Sequence, residues 1–162
     1  MNICMICTGN TCRSPMAEAL LRKHLISNGD KLYHVCSAGI NAWPGDLASE
    51  YSRQVLFEEY ALDISDHKSQ RINPEIIEKS DLIITMTYDH KRMLLRFFPD
   101  AQSKVFTIGE AADKKEIDIN DPYGGNYSDY SRTASQINIL TEAIASKIIA
   151  GEFGHKNDFL RN

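Results

Sequence analysis

One stretch of this chain restricts its fold more than any other: Cys7-Thr8-Gly9-Asn10-Thr11-Cys12-Arg13-Ser14-Pro15. It follows a short apolar run, Ile3-Cys4-Met5-Ile6, and precedes apolar residues at helical spacing. A short apolar run reads as a buried strand, so the order is strand, tight loop, helix N-terminus. Five residues separate Cys7 from Arg13. That spacing lets the backbone curl until several N–H groups face one small anion. A helix start behind them adds its own free N–H groups and positive dipole end. Arg13 can close such a cradle with a planar two-pronged contact to phosphate oxygens. Cys7 then lies on the floor, beneath the anion's central atom, where phosphoryl transfer needs a nucleophile.

The remaining sequence can supply the frame for that loop. Its 162 residues are 43% hydrophobic and 25% charged, enough for one domain with a full core. A single domain is expected over residues 1–151, with a loose polar tail over 152–162. The net charge of −4 argues against a general nucleic-acid partner. It does not argue against a local anion site built from backbone dipoles and one arginine. No stretch is long and apolar enough to span a membrane, and no basic region followed by an apolar segment marks a leader. Cys4, Cys7, Cys12 and Cys36 crowd into the first quarter without zinc-ligand spacing, whereas a disulfide-stapled scaffold would spread them out. A cytoplasmic chain is expected, monomeric or weakly dimeric, with no metal and no cofactor.

Residues 2–6 read as the first strand. Ser14 is expected to cap the next helix, with Pro15 in its first turn. Ala17, Leu20, Leu21, His24 and Leu25 form that helix's inward face, and Asn28-Gly29 stops it. Further strands are expected over Tyr33 to Ala38, Asp81 to Met86 and Lys104 to Ile108. Helices are expected over Ala48 to Tyr60, Pro74 to Lys79, and from a Thr87 cap to just before Pro99. Residues 61–73 read as polar and irregular. A last helix carries Ala134, Ile137, Leu140, Ile144 and Ile148 on one side and ends at Gly151. Strands alternating with helices predict an α/β fold, a parallel sheet covered on both faces. Ligands bind such sheets at the carboxyl ends of the strands. The cysteine loop, the Gly39-to-Leu47 loop with Trp43, and the Gly109-to-Ser128 loop with Asp121 follow strands one, two and four. All three fall on one rim.

Attack by Cys7 would give a phosphocysteine. The leaving group then needs a proton and water must be activated, and one carboxylic acid can do both in turn. Asp121, in Asp121-Pro122-Tyr123-Gly124-Gly125, is the candidate, with Asp118 its nearest competitor. Trp43-Pro44-Gly45-Asp46 resembles the acid loop of the larger tyrosine phosphatases, but a glycine intrudes and the cysteine motif comes first. Asp46 is therefore read as a helix cap and Trp43 as a wall of the cleft. Trp43 and Tyr123 either sandwich a flat substrate group or are two partly buried aromatics. Gly9 and Asn10 are expected in left-handed or strained backbone. Ser14 could donate to the Cys7 thiolate. Cys12 is either a reversible disulfide partner of Cys7 or a small residue behind the loop. Cys4 and Cys36 are expected in the sheet core. His67 with Ser37 either braces the loop from behind or faces solvent.

Residues 7–18 of this loop and helix start resemble the signature of low-molecular-weight protein tyrosine phosphatases. The likeness continues through Ser37-Ala38-Gly39, Asp81-Leu82-Ile83 and Asp121-Pro122-Tyr123, so it covers about residues 2–150. It implies a flavodoxin-like three-layer α/β/α fold around a four-stranded parallel sheet. It also implies a metal-independent phosphocysteine mechanism with Cys7 as nucleophile, Arg13 as phosphate binder and Asp121 as acid and base. Thr8, Gly9, Asn10, Thr11, Cys12, Ser14, Trp43 and Tyr123 make up the implied phosphate- and substrate-binding set. The partners implied are phosphorylated proteins. Thr11 stands where many members carry a bulky aliphatic residue, and Gly124 where a second aromatic often follows Tyr123. Both features look like the bacterial protein-arginine phosphatases. Phosphoarginine is a phosphoramidate with a charged guanidinium near the loop. A threonine hydroxyl accommodates that group better than isoleucine, and Asp121 could pair with it. Phosphoarginine is thus the expected preferred substrate, with a phosphotyrosine-specific enzyme as the alternative. An arsenate reductase on the same fold needs a cysteine relay after the third strand, and this chain has no cysteine after Cys36. A non-catalytic phosphate sensor would lack the nucleophile or the acid, and both residues are here.

Overall fold

The computed structural model describes residues 1–26 and 33–153. Its strands β1 (Asn2–Cys7), β2 (His34–Gly39), β3 (Leu82–Thr85) and β4 (Val105–Thr107) form one sheet in the order β2-β1-β3-β4. Every neighbouring pair is parallel, with Cys4 of β1 opposite Cys36 on one side and Ile83 on the other. The helices are α1 (Arg13–Ile26), α2 (Glu50–Tyr60), α3 (Pro74–Lys79), α4 (Tyr88–Phe97), α5 (Ile108–Ala111) and α6 (Tyr127–Ile149). A short 3-10 turn, Pro99–Lys104, leads into β4.

Strand side chains alternate between the two faces of a sheet. Ile3, Met5 and Cys7 join one core with residues of α1, α2, α5 and α6. Cys4 and Ile6 join the other with Ile77 of α3 and Leu94 of α4. Both faces of β1 are therefore covered, which is why its residues 3–7 are apolar without interruption. The strand order reverses between β1 and β3, the topological switch point of a flavodoxin-like sheet. The cysteine loop leaves β1 there. Ala134, Ile137, Leu140, Ile144 and Ile148 are all buried along α6, as their spacing predicts.

Several local expectations are corrected. Helix α1 begins at Arg13, so Ser14 lies within its first turn and is not the cap. Its hydroxyl is drawn instead to Cys7 Sγ and Asn10. Asp46 caps nothing: Ser49 caps α2, its side chain accepting from Ser52 N, while Asp46 N donates to Ser69 Oγ. The segment after Gly109 is not wholly irregular, because Thr107 and Glu110 form a capping box that starts α5. Cys4 is fully buried, but Cys36 is only partly so, since β2 is an edge strand. Thr87 does cap α4, accepting from His90 N. The expected stop at Asn28-Gly29 and all but Glu152 and Phe153 of the expected tail lie outside the described residues. Among the described residues, no helix is long and apolar enough to cross a membrane.

Candidate active site

The last residue of β1 is Cys7, and the chain turns back into α1 through Asn10. Asn10 has a φ of 56°, the left-handed region; Gly9 has no positive φ, so the strained residue of the turn is the asparagine alone. A dense set of bonds holds Asn10 there. Its Nδ2 donates to Ser14 Oγ and Ser37 Oγ, both at 2.8 Å. Its Oδ1 accepts from Gln70 N at 2.9 Å, and its carbonyl meets His67 Nε2 at 2.8 Å. His67 and Ser37 thus brace the loop rather than face solvent. Gly39 ends β2 behind the loop, where an added Cβ would lie 2.5 Å from Thr8 O, so only glycine permits this approach.

The bonds fix proton directions. Ser37 Oγ donates to Glu18 Oε2 at 2.6 Å, so it accepts from Asn10. Ser14 also accepts from Asn10, and its own proton has two acceptors in reach, Ala38 O at 3.5 Å and, when Cys7 is a thiolate that can only accept, the nearer Cys7 Sγ at 3.0 Å. Asn10 N donates to the same sulfur at 3.3 Å. Two donors converge on Cys7, the arrangement that supports a nucleophilic thiolate.

Arg13 is 5% exposed although it heads a helix. Its Nη1 donates to Ile119 O at 3.1 Å and its Nη2 to Asp121 Oδ2 at 2.7 Å. Its Nε is buried with no hydrogen-bond partner among the described residues. A cavity of about 210 Å³ is lined by Cys7, Thr8, Gly9, Thr11, Cys12, Arg13, Asp121 and Tyr123. A buried guanidinium with an unused donor, beside a loop of backbone N–H groups, suits a small anion. Among the described residues, no group of three acidic, histidine or cysteine side chains could hold a metal.

A family model for low molecular weight phosphotyrosine protein phosphatases matches residues 2–152. The chain belongs to that family. It is 35% identical over 148 residues to a protein-arginine-phosphatase of Bacillus subtilis, covering 91% of this chain and 97% of that one. It is 34% identical over 148 residues to the low molecular weight protein-tyrosine-phosphatase PtpB of Staphylococcus epidermidis, covering 91% and 99%. Among solved structures, it resembles a mutant YwlE arginine phosphatase carrying a phosphorylated active-site serine. That match has a TM-score of 0.87 and 34% identity over 92% of this chain and 96% of the other. The chain is a cysteine-dependent protein phosphatase.

Most of the expected site of this phosphatase meets in one place. Thr8, Gly9, Thr11, Cys12 and Tyr123 line the cavity with Cys7, Arg13 and Asp121, and Asn10 and Ser14 support it from beneath. Asp118 is elsewhere engaged, its Oδ1 accepting from Tyr88 N at 2.9 Å. Trp43 and Tyr123 are 78% and 79% exposed, not partly buried. Tyr123 lines the cavity; Trp43 does not, and its carbonyl accepts from Ser69 Oγ. All four cysteines are free, with Cys12 Sγ 3.4 Å from Tyr130 OH and 3.5 Å from Ser49 Oγ. Burial and the Cys12 thiol push the Tyr130 phenol up to about 12, so it stays a neutral partner.

Sequence reasoning missed the Ile119 carbonyl, the Glu18 carboxylate and His90. A backbone carbonyl carries no residue signal. Glu18 reaches Cys7 only through Ser37 and Asn10, three hydrogen bonds away. His90 is buried at the start of α4, with Nε2 2.8 Å from Thr8 Oγ1 and Nδ1 2.9 Å from Thr87 Oγ1. Desolvation and the Arg13 charge lower its pKa to about 4. Its position on the rim after β3 was the signal available.

Proposed function

We propose that this phosphatase removes phosphoryl groups from protein side chains through a phosphocysteine on Cys7, and that phosphoarginine is its preferred substrate. The observation that carries the mechanism is the shared cavity. In it, Cys7 Sγ receives two donors and Arg13 is buried with one donor unused. A phosphoryl group seated on the loop meets Arg13 in place of Asp121, and its phosphorus lies over Cys7. The thiolate attacks; an S–P bond forms and the bond from phosphorus to the leaving oxygen or nitrogen breaks. Asp121, freed of the Arg13 charge, takes up a proton from solvent and gives it to the leaving atom. It then takes a proton from water as that water attacks phosphorus. The S–P bond breaks, phosphate departs, and Ser14 steadies the returning thiolate.

Overall identity does not separate the two substrate classes, since relatives named for each stand at 35% and 34%. The residues lining the cavity support the phosphoarginine reading. Thr11 puts a hydroxyl on the cavity wall, and Gly124 leaves Tyr123 without a second aromatic beside it. Asp121 already pairs with one guanidinium, that of Arg13. As a residue of the cavity wall it offers the same carboxylate to a substrate's guanidinium. A wider depression of about 540 Å³ shares Asp121 and Tyr123 and gives room for a substrate chain. Kinetics on phosphoarginine and phosphotyrosine peptides, with wild type, Cys7→Ser and Thr11→Ile, test the reading. Phosphoarginine should be turned over with the higher kcat/KM, and Thr11→Ile should lower that preference. Activity surviving Cys7→Ser would overturn the mechanism. An unchanged substrate ratio in Thr11→Ile would overturn the role of Thr11.

A further inference from the structure

We infer that His90 is a positioning residue that holds the Thr8 hydroxyl with its proton turned into the phosphate cavity, adding a side-chain donor to the anion cradle. The inference rests on reading that cavity as a phosphate site. Three side chains form a line: Thr87 Oγ1 lies 2.9 Å from His90 Nδ1, and His90 Nε2 lies 2.8 Å from Thr8 Oγ1. Thr8 lines the cavity beside Cys7 and Arg13. His90 itself is 6% exposed and does not line it.

The direction of the protons follows from the ends of the line. Thr87 Oγ1 caps α4, accepting from His90 N at 3.1 Å. A hydroxyl that accepts there still has one proton to give, and His90 Nδ1 is in place to accept it. The ring proton is then on Nε2 and is donated to Thr8 Oγ1. Thr8 has accepted, so its own proton is free for an anion. The opposite tautomer would spend the Thr8 proton on the ring and leave the Thr87 proton without a partner among the bonds of this line. The ring must also be neutral, because an imidazolium could not accept from Thr87. Burial and Arg13 favour the neutral ring, and Asp121, Asp118 and Asp89 oppose them more weakly, so the folded-state value stays near 4. Helix α4 is thus tied to the loop after β1 by a single ring, across the point where the sheet order reverses.

Two measurements test this. Imidazole 15N shifts at pH 7 should show His90 neutral with its proton on Nε2. A proton on Nδ1, or a charged ring at pH 7, overturns the proposal whatever the enzyme does. Second, hydrolysis of para-nitrophenyl phosphate and binding of inorganic phosphate are compared in Thr8→Val, His90→Leu, His90→Gln and the Thr8→Val/His90→Leu double variant. Loss of one hydrogen bond to a charged group costs about tenfold. Thr8→Val and His90→Leu should each lower kcat/KM and phosphate affinity by about that factor, and the double variant by no more than either alone. His90→Gln, whose amide can donate from near the Nε2 position, should recover most of the loss. Independent, multiplying losses in the double variant would overturn the proposal, since they mark a purely structural histidine. So would a Gln variant as impaired as Leu. Failure of wild type to bind phosphate or hydrolyse the ester would instead strike the proposed function, and the tautomer would still be read.

Discussion

Arg13 Nη2 lies 2.7 Å from Asp121 Oδ2, so the arginine of the anion loop holds the carboxylate of the opposite loop. The pair joins a buried side chain to one about half exposed, 6% against 49%. In the proposed mechanism an anion in the cavity competes with Asp121 for the guanidinium and sets the carboxyl group free at the moment of binding.

Asp121→Asn should separate the two effects. Loss of the proton donor should lower kcat by about a hundredfold or more. Loss of the competing carboxylate should tighten inorganic phosphate binding, read by titration calorimetry. If Asp46→Asn or Asp118→Asn slows turnover more than Asp121→Asn does, the acid has been misassigned.

Asn10→Ala should be among the most destabilising single changes in the loop. It removes acceptors and donors serving Ser14, Ser37 and Gln70 N, and it leaves a non-glycine residue in left-handed backbone. About 3 kcal/mol is expected from the unpaired buried groups together with the backbone, measured by urea unfolding. A loss under about 0.5 kcal/mol, the range of an ordinary surface change, would show that the network is not what holds the turn.

Gly39→Ala should impair catalysis by moving the loop. Its Cβ would meet Thr8 O at 2.5 Å, Ala42 Cβ at 2.9 Å and Asn10 N at 3.0 Å, two of them backbone atoms of the loop. A drop of about tenfold or more in kcat/KM is expected with a stability cost of about 1–3 kcal/mol. Wild-type kinetics in this variant would mean the loop tolerates displacement.

The His90 ring gives stability a pH dependence of known sign. Its pKa falls from an ordinary value near 6.5 in the unfolded chain to about 4 when folded. Between those values the unfolded chain binds more protons. The contribution is therefore complete above about pH 6.5 and is lost as pH falls toward 4. Urea midpoints at pH 6.5 and 4.5 should differ more in wild type than in His90→Gln. Equal differences would mean that His90 does not titrate in that window.

Much of the fold is legible in the chain because its signals are local. The apolar runs of β1 and β3, the Thr87 cap and the α6 stripe each occupy a few consecutive turns or residues. Where reading failed, two local signals competed. Ser14-Pro15 has the form of a helix start, yet Ser14 lies inside the helix because Asn10 and Cys7 claim its hydroxyl. Asp46 has the form of a cap, yet Ser49 caps α2.

The sequence by itself determined the strand–loop–helix unit, the five-residue spacing from Cys7 to Arg13, and hence the class of anion and nucleophile. Those depend on neighbours along the chain. Tertiary structure alone decided which aspartate reaches Arg13, which histidines touch the loop and where each hydroxyl proton points. Asp121 stands 108 residues from Arg13, and His90 stands 82 from Thr8. Contacts across such distances exist only once the parallel sheet has brought the ends of β1, β3 and β4 to one rim.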